Sequence, residues 1–374
     1  MVTYGKGVQR ITSCAVAILV ALTGAHAGTA APKTVRVMAL GDSVTDGLTL
    51  PDGTPGAYRN DLWQLLKSDG YSVDFVGSRM SGLPTLGDSD HEGHPGWTIA
   101  QINEHAGAWM RTYQPDVVLL HLGTDDIEGT STPEAASTAL STLVDTLTAN
   151  APAAQIFVST LIPSPSDVLN QQFVAFNKLV PGIVARKGTR VHLVDMYSAL
   201  SPADFVDPLH PTGGGYARMA VRWYSALLGV PIGRFEAEDG SLSNTATVQE
   251  ATASGGVKVQ ALTTTGSSLI LHYSVPKSGD QRIYIRAANA TGAACDQQVW
   301  GKNGVPITVT YAGFADANLW ATAAVTVAAD AGENTFTFAG GTCKTDIAVP
   351  VALFAGWAGG GLHRARVAVL AVAP

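Results

Sequence analysis

A chain of 374 residues is longer than one ordinary core fills, and the length favours two domains once any targeting segment is set aside. Hydrophobic residues make up 46% and charged residues only 14%, with 40 glycines, a composition that suits a loop-rich globular protein and excludes a disordered one. The formal charge of -7 offers no basic stripe, so neither nucleic acid nor an anionic membrane surface is expected as a partner.

At the start of the chain, Lys6 and Arg10 precede the apolar run Ile11 to Leu22, and Ala25-His26-Ala27 supplies a small-x-small cleavage pattern. Residues 1–27 therefore read as a signal peptide, and the mature protein is expected to be secreted and extracellular. From Thr34 to Leu228, β-branched runs alternate with helical periodicity, the pattern of a parallel sheet covered on both faces by helices. Strands are predicted at Thr34–Leu40, Ser72–Val76, Asp116–Leu122, Gln155–Leu161 and Arg190–Asp195. Helices are predicted at Arg59–Asp69, at Thr98–Tyr113 with Ile99, Ile102, Ala106 and Trp109 on one face, from Thr132-Pro133-Glu134 onward, and at about Gly214–Leu228.

This α/β domain spans 34–229, and residues 230–233 read as a linker. Beyond it the period changes to two. Val257–Leu262, Ser268–Val275, Gln281–Ala287, Val305–Tyr311, Ala321–Val327 and Asn334–Phe338 read as strands, and short strands separated by Gly, Asn and Ser turns indicate an all-β sandwich over 234–346. The tail 347–374 is rich in Ala, Gly and Val and lacks the alternation expected of a last sandwich strand. Cys14 leaves with the signal. Export makes a disulfide between Cys295 and Cys343 the expected state, two free buried thiols being the alternative.

The strand Val37-Met38-Ala39-Leu40 ends in Gly41-Asp42-Ser43, which places a serine at the carboxyl end of a parallel strand, where such sheets put their sites. Taken alone, Ser43 reads equally well as a helix cap. Its weight rises with Asp207-Pro208-Leu209-His210, because a serine is a weak nucleophile until a histidine takes its proton, and a carboxylate holds that histidine in the right tautomer. Asp90, His91, Glu92 and His94 offer a weaker metal-site reading, since a hydrolytic zinc centre needs a third ligand and an open position. Trp97 and Tyr58 read either as cleft-lining or as packing aromatics.

Gly41-Asp42-Ser43, Gly96, Gly123-Thr124-Asp125-Asp126 and Asp207-x-x-His210 follow the order of the four sequence blocks of the SGNH (GDSL) hydrolase superfamily, which the chain resembles. Tyr58-Arg59-Asn60-Asp61-Leu62, Val73 to Ser78, Asp90 to Trp97 and Gln114 to Val118 are similar to the acetylxylan esterases of carbohydrate esterase family three. The resemblance covers about Val35 to Leu228. It implies a flavodoxin-like three-layer α/β/α domain ahead of the sandwich, with Ser43 as nucleophile and backbone oxyanion donor, Gly96 as second backbone donor, His210 as base and Asp207 as its orienter. At the third oxyanion position this sequence has Asp125 where the superfamily has asparagine, and an ionised carboxylate has no proton to donate. Asp125 is thus either held protonated or a source of weakened activity. Asp126 is expected to brace the loop.

The second domain begins at Arg234-Phe235-Glu236-Ala237-Glu238 and resembles carbohydrate-binding modules of families six and thirty-five. That resemblance implies a structural calcium held by Glu236, Glu238 and Asp346, oxygen ligands suited to a hard cation. Tyr311, Phe314 and Trp320 are candidates for stacking on sugar rings. The expectation is a monomeric esterase acting on acetylated polysaccharide such as xylan, with no cofactor in the chemistry. A carbohydrate-binding protein with a decayed esterase domain and a lipase or phospholipase of the same superfamily are the alternatives.

Overall fold

The computed structural model describes residues 34–47, 55–229, 237–250, 253, 257–260, 262, 266–301, 304–314 and 319–339, and the backbone alone of 232–235, 345–347 and 351–354. The expected signal peptide, Glu236, Cys343 and the side chain of Asp346 lie outside the described residues. The expected calcium ligands therefore lie only partly within the described residues, while Cys295 is disulfide-bonded. The described helices include none long and apolar enough to cross a membrane.

In chain order the first half comprises β1 (Val35–Gly41), α1 (Ser43–Asp46), α2 (Arg59–Ser68), β2 (Val73–Phe75), β3 (Arg79–Met80), β4 (Asp90–Gly93), α3 (Ile99–Tyr113), β5 (Val117–His121), α4 (Thr124–Glu128), α5 (Pro133–Asn150), β6 (Gln155–Ser159), α6 (Asp167–Asn177), α7 (Val180–Val184), β7 (Val191–Val194) and α8 (Gly213–Leu228). The parallel strands lie in the order β2-β1-β5-β6-β7, the flavodoxin-like arrangement, with β4 also pairing β1 beyond β2 and β3 antiparallel at that edge. Alternate residues of β1 face opposite layers. Val37 and Ala39 pack with α2 and α8 through Leu62, Leu65, Leu66, Met219, Ala220 and Trp223. Met38 and Leu40 pack with α3 and α5 through Ile102, Ala106, Leu140 and Leu143. Burial on both faces is why these strands read as continuous apolar runs.

Helix boundaries follow local chemistry. Thr98 and Gln101 form a reciprocal capping box on α3, and Thr132 caps α5 with Pro133 in its first turn. On α3 the buried face is Ile99, Ile102, Ala106 and Met110. Trp109, expected on that face, is turned to its half-buried edge.

The second half comprises β8 (Ile232–Phe235), β9 (Ser241–Ser243), β10 (Thr247–Gln249), β11 (Val257–Val259), β12 (Ser268–Val275), β13 (Gly279–Asn289), β14 (Cys295–Trp300), β15 (Pro306–Tyr311), β16 (Trp320–Ala329), β17 (Gly332–Ala339), β18 (Thr345–Ile347) and β19 (Val351–Phe354). Two antiparallel sheets, one built on β13 and the other in the order β15-β14-β17-β12-β9, enclose a core of Leu269, Leu271, Ile283, Ile285, Phe336 and Phe338. Ile232 and Gly233, read as linker, begin β8, and Val351–Phe354, inside the atypical tail, forms β19 between β13 and β8.

The two halves also share packing. Tyr284 of β13 joins the core formed by α2, α8 and the first sheet. Arg286 of β13 donates from Nε to Asp61 of α2 at 2.9 Å, with both side chains under a tenth exposed. Asp69, just past α2, accepts from Arg282 at 3.0 Å and from the hydroxyls of Tyr224 and Tyr284.

Candidate active site

Gly41 ends β1 where the chain passes between β5 and α1. A Cβ there would lie 2.2 Å from the His121 carbonyl oxygen and 2.4 Å from Thr45 Oγ1, so only glycine permits the crossing. The crossing delivers Asp42 and Ser43 to the carboxyl end of the sheet at the β1/β5 switch point. Asp42 caps α1, its Oδ1 accepting the Val44 N–H at 2.9 Å. Behind this one-turn helix the buried Arg59 guanidinium donates to the Ser81 and Ser89 carbonyls, each at 3.0 Å, and the Ser81 hydroxyl donates to the Asp46 carbonyl at 2.9 Å. The helix that carries Ser43 is thereby anchored at its far end.

His210 reaches Ser43 from the loop ahead of α8. Its Nε2 lies 2.9 Å from Ser43 Oγ, and its Nδ1 lies 2.8 Å from Asp207 Oδ2. The loop is closed on itself by the Val206 N–H to the His210 carbonyl at 2.9 Å and by a bridge between Phe205 and Pro211. Asp207 Oδ1 accepts the backbone N–H groups of Leu209 and His210, each at 2.8 Å. Burial alone would raise the Asp207 carboxyl, but these hydrogen bonds and the His210 side chain outweigh it and hold it below the usual carboxylate range. An ionised Asp207 fixes the proton on Nδ1 and leaves Nε2 to accept from Ser43.

Gly96 sits in the turn His94-Pro95-Gly96-Trp97, closed by the Trp97 N–H to the His94 carbonyl at 3.1 Å. Its φ of 78° is the left-handed value that the third residue of a type II turn requires after proline. The His94 N–H donates to the Gly41 carbonyl at 2.8 Å, which ties this turn to the strand end that carries Ser43. Asp125 lies in the first turn of α4, following β5. Burial raises its carboxyl to about 6, with the charges of Glu128 and Asp126 adding to the effect and His210 opposing it. Burial raises Asp42 further, to about 7, and the charge of Asp125 contributes. One oxygen of each, Oδ2 in both cases, is buried without a hydrogen-bond partner. Two carboxyls whose charges interact beside Ser43 disfavour simultaneous ionisation. Asp126 Oδ2 accepts the Ile99 N–H at 2.8 Å and so braces α3 against α4.

The metal-site reading of 90–94 meets a different arrangement. His91 is buried, accepts the Gly93 N–H on Nδ1 at 2.9 Å and points Nε2 at Ser81 Oγ, 3.0 Å away. His94 pairs with buried Glu92 at 2.8 Å and stacks on Trp97 and Trp109 at centroid distances of 4.4 and 4.8 Å. Among the described residues no group of three or more metal-ligating side chains is gathered. Trp97 is half-buried beside Gly96, whereas Tyr58 is fully buried against Trp223 and lines no cleft.

The three aromatic candidates of the second half part company. Tyr311 is 1% exposed in the sandwich core, its hydroxyl donating to Gln297 Oε1 at 3.1 Å. Trp320 is 4% exposed and covered by the Arg286 guanidinium, 4.9 Å from its ring. Both rings are taken by packing, and only Phe314 is half-buried at a surface groove. Sequence reasoning missed the electrostatic contact of Asp42 with Asp125. The signal available for it was that both follow the ends of adjacent strands.

The family described as GDSL-like lipase/acylhydrolase matches residues 39–218. The chain is similar to a solved family 3 carbohydrate esterase from Clostridium thermocellum, 36% identical, covering 53% of this chain and 96% of that one, with a TM-score of 0.48. It is also similar to a carbohydrate esterase family 3 protein from Talaromyces cellulolyticus, 27% identical over 52% of this chain and 97% of that one, with a TM-score of 0.47. A multidomain esterase from Ruminococcus flavefaciens is 28% identical over 229 residues, 53% of this chain, and this chain spans 29% of its length. The order of the motif blocks and the serine at the end of β1 agree with this family match: residues 39–218 form a GDSL-like lipase/acylhydrolase domain, and the α/β half is a carboxylic ester hydrolase domain.

Proposed function

We propose that this chain is a secreted serine esterase that removes acetyl groups from xylan or a related plant polysaccharide. The observation that carries the reading is the continuous line from Ser43 Oγ through His210 to Asp207, with links of 2.9 and 2.8 Å. Ser43 Oγ attacks the acetyl carbonyl carbon while His210 Nε2 takes its proton. The oxyanion that forms is held by the N–H groups of Ser43 and Gly96 and by a protonated Asp125. Collapse passes the proton from His210 to the departing sugar oxygen and leaves an acetyl group on Ser43. Water, deprotonated by His210, then releases acetate and restores the serine. The similarity to family 3 carbohydrate esterases supports a carbohydrate as the alcohol partner.

The test is the initial rate of acetate release from acetylated xylan and of hydrolysis of aryl esters of increasing acyl length, for wild type and Ser43→Ala. Release from xylan, preference for acetyl and abolition by Ser43→Ala are the expected results. Rates that rise with acyl length would instead indicate a lipase. Asp125 favours a second reading, a polysaccharide-binding protein whose esterase domain has decayed to inactivity, which predicts wild-type rates on every ester no higher than those of Ser43→Ala.

A further inference from the structure

A groove of about 480 Å3 runs between the two halves of the molecule, within the range of roughly 300–1,000 Å3 in which small-molecule sites fall. One wall is α2, which contributes Trp63 and Lys67. The other is the β15 end and β16, which contribute Thr310, Phe314 and Thr322. The walls are pinned together. Gln64 Oε1 accepts the Thr322 N–H, and its Nε2 donates to the Trp320 carbonyl at 3.4 Å, so the groove is preformed. The Asp61–Arg286 pair holds the same two elements from behind.

We propose that this groove is a second carbohydrate site, distinct from the cleft at Ser43, which seats a neutral pyranose chain between Trp63 and Phe314. The chemistry points to a sugar. A pyranose presents an apolar C–H face for aromatic rings and a hydroxyl edge for polar groups, and this groove offers both, with rings on opposite walls and Gln64, Ser68 and threonines among its lining residues. Lys67 is the one charged residue lining it among the described residues, and no carboxylate faces in. The exposed Lys67 side chain places Nζ 5.2 Å from the Trp63 centroid, a mobile cation on the indole face for which the polarised C–H groups of a sugar can exchange. Because the site uses residues of both halves, it fixes a bound chain relative to Ser43 in a way that a freely tethered module cannot.

The proposal deepens the polysaccharide reading and rests on it. Full-length Ser43→Ala protein, which cannot turn substrate over, is titrated calorimetrically with unacetylated xylohexaose, cellohexaose and mannohexaose. At least one is expected to bind, and adding Phe314→Ala or Trp63→Leu is expected to weaken that binding about tenfold, the value of one stacking contact. The same two substitutions in the Ser43 protein are expected to leave 4-nitrophenyl acetate turnover within about twofold of wild type, since neither residue touches the triad. Should Trp63→Leu fail to fold, Phe314→Ala decides alone. Absence of binding by all three oligomers, or binding that the substitutions leave unchanged, overturns the groove site. Acetate release from acetylated xylan is scored separately. Its absence with groove-dependent binding of any oligomer removes only the xylan assignment, and its presence without such binding removes only the groove.

Discussion

In the proposed mechanism Asp125 is the residue whose protonation decides turnover, since it stands where a neutral oxyanion donor is needed. Its carboxyl, raised to about 6 by burial, donates to an oxyanion only while protonated. Wild-type kcat is therefore expected to fall as pH rises through about 6. Asp125→Asn keeps the shape and a donor at every pH. It is expected to abolish the alkaline limb and to raise kcat at pH 8 by about 100-fold, the value of one oxyanion donor; coincident pH-rate profiles would remove residue 125 from the oxyanion site. Asp42 supports a companion prediction on stability. Its carboxyl holds a proton more tightly folded, at about 7, than at the ordinary value of 3.8, so ionisation opposes folding increasingly as pH rises from about 4 to 7. Asn caps a helix as well as Asp. Asp42→Asn is accordingly expected to leave stability unchanged at pH 4 and to raise it by about 2 kcal/mol or more at pH 8 in urea unfolding, a discounted share of the ~1.4 kcal/mol per pKa unit.

At the scale of elements, the site is an assembly of four chain reversals: β1 into α1, the Pro95-Gly96 turn after β4, β5 into α4, and the loop into α8. Each is set by a local device, and the Gly96 turn is the one most cleanly perturbed. A Cβ at Gly96 meets nothing within 4 Å, so Gly96→Ala adds no clash. The cost is the φ of 78°, about 1–2 kcal/mol for a residue with a side chain. If the turn instead relaxes, its N–H leaves the oxyanion position assigned to it in the proposed mechanism. The expected outcome is a folded variant about 1 kcal/mol less stable whose kcat on a small acetyl ester falls about 100-fold with KM little changed. A loss confined to KM would show that the turn serves binding alone.

Across the whole molecule, the halves are coupled by a core rather than strung on a linker. Tyr284 packs among α2 and α8, Asp69 gathers Arg282, Tyr224 and Tyr284, and Asp61 with Arg286 is buried from both sides. Removing one partner of a buried, hydrogen-bonded ion pair typically costs about 3–5 kcal/mol, because the other charge stays behind. Arg286→Ala is expected to destabilise the α/β half as well as the sandwich, so that hydrolytic activity and sandwich structure are lost in one denaturant transition shifted to lower concentration. Two separate transitions, with activity lost at the wild-type midpoint, would mean that the halves fold independently.

Much of the site was legible in the sequence because its signals are local. A strand ending in Gly41-Asp42-Ser43, a histidine three residues after an aspartate, a Pro-Gly turn and the caps Thr98 and Thr132 act through neighbours along the chain, and the structure keeps each of them. Helices α6 and α7 and strand β14 escaped notice, the last because Cys295-Asp296-Gln297-Gln298 is polar and shows little alternation. What the sequence could not decide was the partner of each side chain. Tyr311, Trp320 and Phe314 belong to one residue class in similar strand-end contexts, and only packing sends the first into the core, the second beneath Arg286 and the third to a groove. Asp42 and Asp125 lie 83 positions apart in number, and it is the parallel pairing of β1 with β5 that brings their charges together. Capping, turns and periodicity are properties of a few consecutive residues, whereas burial and charge coupling arise from contacts between distant ones, and those exist only once the chain has folded.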